Sequence, residues 1–340
     1  MPRRIILDTD PGIDDALAIL LALASPEVEL AGITVTGGNC TLDDGVRNAL
    51  GVVALTPAPA TPVHAGVALP LLRPPFTAPE THGDSGLGYA RLDPAPQPPA
   101  AEHAVDMIIR EILAHPGEIT LVAVAPLTNL ALAVRKQPRI AELVGEVIIM
   151  GGAVSVDGNT THQAEFNFFV DPHAAQIVLS SGMPITLVPW DITSKVLLTG
   201  AQVAQLRLID SPITRFVAEA TRFYIEFHEL CFGFSGCSLN DPVALALAFA
   251  PELARTVPMH IAVEHASELT AGRTVVGYAG STALPPSAHD MLGWDTGRWP
   301  HGWSRVHRPA ANAQVVVEFD SERFVAIFLE RITQLARGTN

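Results

Sequence analysis

Four carboxylates fall within eight residues near the start of the chain: Asp8, Asp10, Asp14 and Asp15, in the run Arg4-Ile-Ile-Leu-Asp-Thr-Asp-Pro-Gly-Ile-Asp-Asp-Ala-Leu-Ala18. Two anionic carboxylates about 4 Å apart repel by roughly 4 kcal/mol at an effective dielectric near 20. A helix N-terminus offsets only about 0.3–1 kcal/mol per charge. Such a cluster calls for a cation or a proton among its members, and a bound hard cation is the simplest answer. From spacing alone the alternative is a capping and turn cluster that holds no ion.

The elements that must position these carboxylates are legible around them. Ile5, Ile6 and Leu7 read as a short buried strand, Pro11-Gly12 as a turn, and Asp14 or Asp15 as the start of a helix carrying Leu17, Leu20 and Leu21. Further apolar runs follow at Ile33–Val35, Ile119–Val124, Val147–Met150 and Ile185–Val188, separated by helix-like stretches such as Asp43–Leu55 and Ala101–Ala114. A last strand (Gln314–Glu318) and a last helix (Ser321–Arg337) close the chain. Strands alternating with helices predict an α/β fold, a mainly parallel Rossmann-type open sheet flanked by helices. The runs are apolar throughout, as expected when both faces of a sheet are covered. Thr56–Pro75 and Pro94–Pro99 are proline-rich and read as irregular surface segments. Residues 1–340 are expected to form one domain, with an irregular excursion at about 280–311.

In open parallel sheets ligands bind beyond the carboxyl ends of the strands. Reading each strand to that end collects Asp8, Asp10, Asn39, Thr128, Asn129 and Asp191, and the flanking loops add Asn159, Glu165, Asn167 and Asp171. A set of carboxylates and amides without clustered cysteine or closely spaced histidine suits calcium or magnesium better than zinc or copper. The aspartate spacing is not that of an EF-hand. Asp171-Pro172 reads most simply as a helix N-cap with proline at N1, and Asp191 as structural support.

Composition narrows the partners. A formal charge of −14 argues against nucleic acid or an anionic membrane surface. No stretch of about 18 uninterrupted apolar residues suggests a membrane span. Met1-Pro-Arg-Arg runs straight into a strand rather than into the apolar segment of a secretory signal. Cys40, Cys231 and Cys237 are too scattered for a disulfide framework or a zinc site, and a cytoplasmic protein is expected.

Asp8-Thr-Asp-Pro-Gly-Ile-Asp-Asp15 resembles the N-terminal signature of the inosine-uridine-preferring nucleoside hydrolase family. The resemblance continues through Val35-Thr-Gly-Gly-Asn39, His82-Gly-Asp-Ser-Gly-Leu-Gly88, Val124-Ala-Pro-Leu-Thr-Asn-Leu-Ala131, Met150-Gly-Gly152, Glu165-Phe-Asn-Phe-Phe-Val-Asp-Pro172 and Asn240-Asp-Pro242. It implies hydrolysis of the N-glycosidic bond of ribonucleosides to ribose and free base, with one bound calcium (Ca2+). By the same resemblance the metal ligands are Asp10, Asp15, the Val124 carbonyl and Asp241, with Asp10 also the general base for the attacking water. Asp14, Asn39, Asn159, Glu165 and Asn167 are expected to grip the ribose, Asp241 is counted with them, and His82 lies close to sugar or base. A homodimer or homotetramer is also implied. General physics agrees: anions stabilise an oxocarbenium-like transition state, and calcium's seven or eight oxygen ligands leave room for sugar hydroxyls.

One position departs from the pattern. Where a branch of the family carries a histidine that protonates the leaving base, this chain has Asn240. His82 or His228 is then expected to deliver the proton, or the base leaves with solvent assistance. His228 ends the helix-like run Phe223-Tyr-Ile-Glu-Phe-His228, which resembles the family's aromatic base-pocket segment. Two rival functions compete: a haloacid-dehalogenase-like phosphatase with Asp8 as nucleophile and Asp10 as acid, and a non-catalytic nucleoside- or ribose-binding protein.

Overall fold

The strand that carries the acidic cluster, Arg3–Thr9 (β1), is the hub of the molecule. A computed structural model describes residues 2–57, 61–278 and 310–338. The strands that follow are Val28–Val35 (β2), Val63–Ala65 (β3), Ile119–Ala123 (β4), Glu146–Met150 (β5), Ile185–Val188 (β6), Leu197–Leu198 (β7), Cys237–Ser238 (β8), Ala254–Val263 (β9), Thr274–Tyr278 (β10) and Ala313–Phe319 (β11). Nine of them form one sheet in the order β10-β9-β11-β6-β5-β4-β1-β2-β3, and β7 and β8 pair separately. β1 lies parallel to β2 and β4, and the parallel run extends from β3 to β11. The α/β expectation therefore holds.

Both faces of this sheet are covered. Ile5 and Leu7 of β1 join one apolar cluster and Ile6 the other. Val147 and Ile149 of β5 face the second cluster, Ile148 and Met150 the first. Successive side chains point to opposite faces, so a strand buried on both must be apolar throughout. The helix Ile13–Ala24 is buried from Ile13 to Ala22, and its companion Asn240–Leu247 is buried along its whole length. A helix apolar on all sides belongs inside the protein.

Two features escape the sequence reading. β3 interrupts the proline-rich stretch, held by pairing with β2. β9 and β10 run antiparallel beside β11, so the far end of the sheet is not parallel. The Gly280–Ala311 excursion falls almost wholly outside the described residues, as do Trp294, Trp299 and Trp303.

The long helix Pro212–Phe232 is well punctuated. The Ser211 hydroxyl accepts from Thr214 N, proline occupies its first turn, and Gly233 at φ 74° closes it in the left-handed region that glycine tolerates. It carries Tyr224 and His228 toward the carboxyl edge of β1.

Candidate active site

From β1 the chain builds outward through β2 to β3 on one side, and β4 to β6 take the other. At such a reversal the loops after adjacent parallel strands part and open a crevice. Asp10 follows β1 and Val124 follows β4 at that point. Asp14 and Asp15 sit in the first turn of Ile13–Ala24, and Asp241 in the first turn of Asn240–Leu247. Carboxylate oxygens of Asp14, Asp15 and Asp241 lie within 4.8 Å of one another, and all three residues are buried. Two helix N-termini thus converge on one acidic nest.

Within the nest the carboxylates are unequally satisfied. Asp15 accepts from Thr9 Oγ1 (2.5 Å), Asp10 N (3.1 Å), Gly12 N (2.9 Å) and Asn39 Nδ2 (2.8 Å). Asp10 accepts only Asn39 N at its Oδ2 (2.6 Å), and Asp10 Oδ1 has no partner among the described residues. Asp14 Oδ2 takes Asn240 Nδ2 (2.7 Å) and the Tyr224 hydroxyl (3.2 Å), while Asp14 Oδ1 is likewise unpartnered. Burial, then repulsion from Asp15, pushes the Asp10 carboxyl well above the usual carboxylate range. Burial and mutual repulsion do the same for Asp241 and raise Asp15, and burial raises Asp14. Unpartnered buried oxygens in an all-oxygen donor set fit a hard divalent cation. Gly38 is required here, since a Cβ would lie 2.0 Å from Asp10 Oδ2.

Above the nest stands a pocket lined by Asp14, Asn39, His82, Val124, Asn159, Glu165, Asn167, His228 and Asp241, nine of the eleven residues expected from the sequence. Asp10 and Asp15 are buried but do not line it. The Glu165 side is internally complete. Glu165 caps the helix Phe166–Val170 and accepts from Asn167 N (2.9 Å), Phe168 N (3.2 Å) and Gly152 N (2.7 Å), and burial raises its carboxyl to about 7. Asn167 Nδ2 donates to the carbonyls of Val124 (3.0 Å) and Met150 (3.2 Å), joining the ends of β4 and β5. Asn159 Oδ1 accepts from Phe166 N at 2.9 Å.

The two imidazoles expected to deliver a proton, if solvent does not, are both held by hydrogen bonds. His82 Nδ1 accepts the Ile13 N–H at 3.1 Å, so that nitrogen carries no proton. Burial lowers its pKa to about 4, and its 3.9 Å approach to Asp14 is no ion pair near neutral pH. His228 Nδ1 donates to the Tyr224 carbonyl at 2.8 Å, and its Nε2 lies 3.2 Å from Ser238 Oγ. Burial lowers His228 to about 4 as well. Both rings line the pocket as neutral groups, and His228 Nε2 is committed to a serine.

Several residues fall elsewhere. Asp8 is fully buried, with Oδ1 accepting from Thr34 Oγ1 (2.6 Å) and Asn129 Nδ2 (2.8 Å), and it does not line the pocket. Its bonded oxygen ties β1 to Thr34 of β2 and to Asn129, a structural role rather than that of a phosphatase nucleophile. Thr128 donates to Asp171, which caps Pro172–Leu179 through Ala174 N as expected. Asp191 holds the backbone of Val154 and Ser155, a supporting role. Sequence reasoning overlooked Tyr224, one helical turn before His228, although i, i+4 spacing already put both on one face. Trp190 lines the pocket with Phe227 and Phe232 and forms an aromatic wall there.

Comparison with known proteins agrees with this geometry. The family model for inosine-uridine preferring nucleoside hydrolases matches residues 5–326. A pyrimidine-specific ribonucleoside hydrolase, RihA of Salmonella gallinarum, is 36% identical over 337 residues, covering 99% of this chain and 100% of its own. The solved structure of a purine-preferring ribonucleoside hydrolase from Gardnerella vaginalis superposes with a TM-score of 0.86 at 34% identity, over 98% of this chain and 99% of its own. A plant nucleoside hydrolase, PpNRh1, gives 0.87 at 32% identity with the same coverage.

Proposed function

The chain belongs to the inosine-uridine preferring nucleoside hydrolase family and is a ribonucleoside hydrolase, and from that premise we propose that calcium serves the reaction and that the acidic nest is its seat. The observation that carries this reading is the nest itself, with Asp10 Oδ1 and Asp14 Oδ1 buried and without partners among the described residues, beside Asp15 and Asp241. Asp10, Asp15, Asp241 and the Val124 carbonyl would hold the ion. When bound, a divalent cation there supplies positive charge that acidifies a water and attracts hydroxyl oxygens.

The chain's own groups do the rest. Asp10, anchored at Oδ2 by Asn39 N, keeps Oδ1 free to take a proton from the attacking water. Asp14, Asn39, Asn159, Glu165 and Asn167 present the sugar-binding wall, and Asp241 borders it. As the bond from C1′ to the base lengthens, positive charge grows on the sugar and the surrounding carboxylates stabilise it. The electron pair leaves with the base. Neither imidazole offers an ordinary acidic proton to the pocket, so the base takes its proton from solvent. The aromatic wall of Trp190, Phe227 and Phe232 receives the departing base.

The relatives' names divide between pyrimidine-specific and purine-preferring, so base preference is settled by a panel. Uridine, cytidine, inosine and adenosine are incubated with and without chelator, and reducing sugar is measured. Release that stops with chelator and returns with calcium supports the assignment; release indifferent to chelator overturns it. A cytoplasmic role in ribonucleoside catabolism and nucleobase salvage, as a single-domain homodimer or homotetramer, completes the proposal, and light scattering tests the assembly. Among the described residues no helix is long and apolar enough to cross a membrane.

A further inference from the structure

Asn240 cannot act as an acid, and its hydrogen bonds indicate another task. Its Nδ2 donates to Asp14 Oδ2 at 2.7 Å and to the Tyr224 hydroxyl oxygen at 3.1 Å, and Tyr224 in turn donates to the same Asp14 oxygen at 3.2 Å. These three side chains come from three helices, Ile13–Ala24, Pro212–Phe232 and Asn240–Leu247. All are buried, with Asn240 at 6%, Asp14 at 4% and Tyr224 at 3% exposure. A carboxylate only accepts, so Asp14 fixes which end of the Asn240 amide is nitrogen. The triangle spends one Asp14 oxygen and leaves two acceptors without partners among the described residues, Asp14 Oδ1 and Asn240 Oδ1.

We propose that Asn240 and Tyr224 are positioning residues that clamp Asp14 Oδ2, so that Asp14 Oδ1 is held in one orientation for a ribose hydroxyl. The inference rests on the reading of Asp14 as a sugar-binding group. A carboxylate on a two-torsion side chain has several staggered rotamers open to it in general. Two donors on one oxygen remove that freedom without neutralising the other oxygen. Asn240 Oδ1 stands as a second acceptor, so this corner offers acceptors only and is matched to hydroxyl donors. Tyr224 links the clamp to the helix that also carries His228 and Phe227, and therefore to the aromatic wall.

The test is a double-mutant cycle in kcat/KM for uridine and its 2′-, 3′- and 5′-deoxy analogues, with calcium present. Asn240→Leu, similar in volume but without the donor, should lower kcat/KM for uridine about 10–100-fold, the range for a hydrogen bond to a charged group. Asn240→Asp, which sets a second carboxylate against Asp14, should lower it further. Tyr224→Phe should cost less, about 3–10-fold. In an Asp14→Ala background all three should become nearly silent, within about twofold. The loss should also shrink for the one deoxy analogue that lacks the hydroxyl held by Asp14. Effects that persist undiminished in the Asp14→Ala background, or that fall equally on all analogues, overturn the inference while leaving the hydrolase reading intact. A wild type inert toward every nucleoside sinks both. Should Asn240→Leu fail to fold, Tyr224→Phe, which keeps the ring, completes the cycle alone.

Discussion

The Glu165 wall and the Asp10 floor are both buried carboxylate sites in the same crevice, and they are finished to different degrees. Glu165 spends both oxygens on three backbone N–H groups, two from the helix it caps and one from Gly152 after β5. Among the described residues Asp10 has one donor and an oxygen with no partner, within reach of repulsion from Asp15 and Asp14. A complete site is part of the fold and shapes what enters. An incomplete one is destabilising in the free protein and persists for what it does with a ligand.

The sharpest break of that contrast is Asp10→Ala. Loss of a positioned general base lowers rates by about 10²–10⁴-fold, and kcat for nucleoside hydrolysis should fall by that much. In chelator the same variant should melt at or above the wild-type temperature, because a repelling buried carboxylate is gone. An active Asp10→Ala, or one that melts well below wild type without cation, would erase the distinction between floor and wall.

Glu165→Ala should behave oppositely. Three buried N–H donors lose their acceptor at about 1–3 kcal/mol each, so about 3 kcal/mol or more of stability should disappear. In a chain of this size that is a fall in Tm of roughly 4 °C or more, seen with or without calcium in differential scanning calorimetry. A Tm unchanged from wild type would mean the wall is not structural.

How far this contrast was legible beforehand depends on range in sequence. The floor lies within one strand, one Pro-Gly turn and one helix start, all inside Arg4–Ala18, and local rules suffice to read it. The parallel core was equally open, because strands covered on both faces must be apolar. β9 was hidden because exposed and buried positions mix along it and Pro258 lies within it. β3 is three residues long and owes its existence to β2, which no local pattern records. The Asp14–Tyr224–Asn240 triangle joins residues more than 200 positions apart, and the state of each histidine is set by Ile13, Tyr224 and Ser238. Local sequence names the reactive types; distant partners decide which of them carries a proton.

A smaller effect follows from the raised carboxyls. Asp8 is moved from 3.8 to about 6 and Glu165 from 4.5 to about 7, both mainly by burial. The folded protein therefore retains protons that the unfolded chain has shed between those values. Stability from these groups is full below about pH 4 and is lost as pH rises through about 6 to 7. Most of the Asp8 contribution, on the order of 3 kcal/mol, is gone by pH 6, so the cation-free protein should melt at lower temperature at pH 8 than at pH 6 chiefly through Glu165, by on the order of 1 kcal/mol. Added calcium should raise Tm more at pH 8, since ligand carboxylates must be ionised to bind it. A cation-free Tm that climbs steadily from pH 6 to 8 would contradict the assignment.

The smallest effect is expected at His228, and it separates shaping from reacting most finely. The ring lies on the pocket wall, 4.3 Å from the Tyr224 ring between centroids, and packs against Phe227, Phe232 and Phe234. Its Nδ1 proton goes to a backbone carbonyl and its Nε2 faces Ser238, so removing it removes a surface and no mobile proton. His228→Ala should raise KM by roughly threefold to tenfold through lost aromatic contact and change kcat less than that. The changes should be similar on uridine and inosine, and the alkaline limb of the pH–rate profile, where loss of a general acid would register, should stay in place. An acid would register differently, because its loss strikes the step in which the leaving group departs. A fall in kcat of about 100-fold at unchanged KM, with a limb of the profile erased, would move His228 from the wall to the chemistry and return proton delivery to the protein.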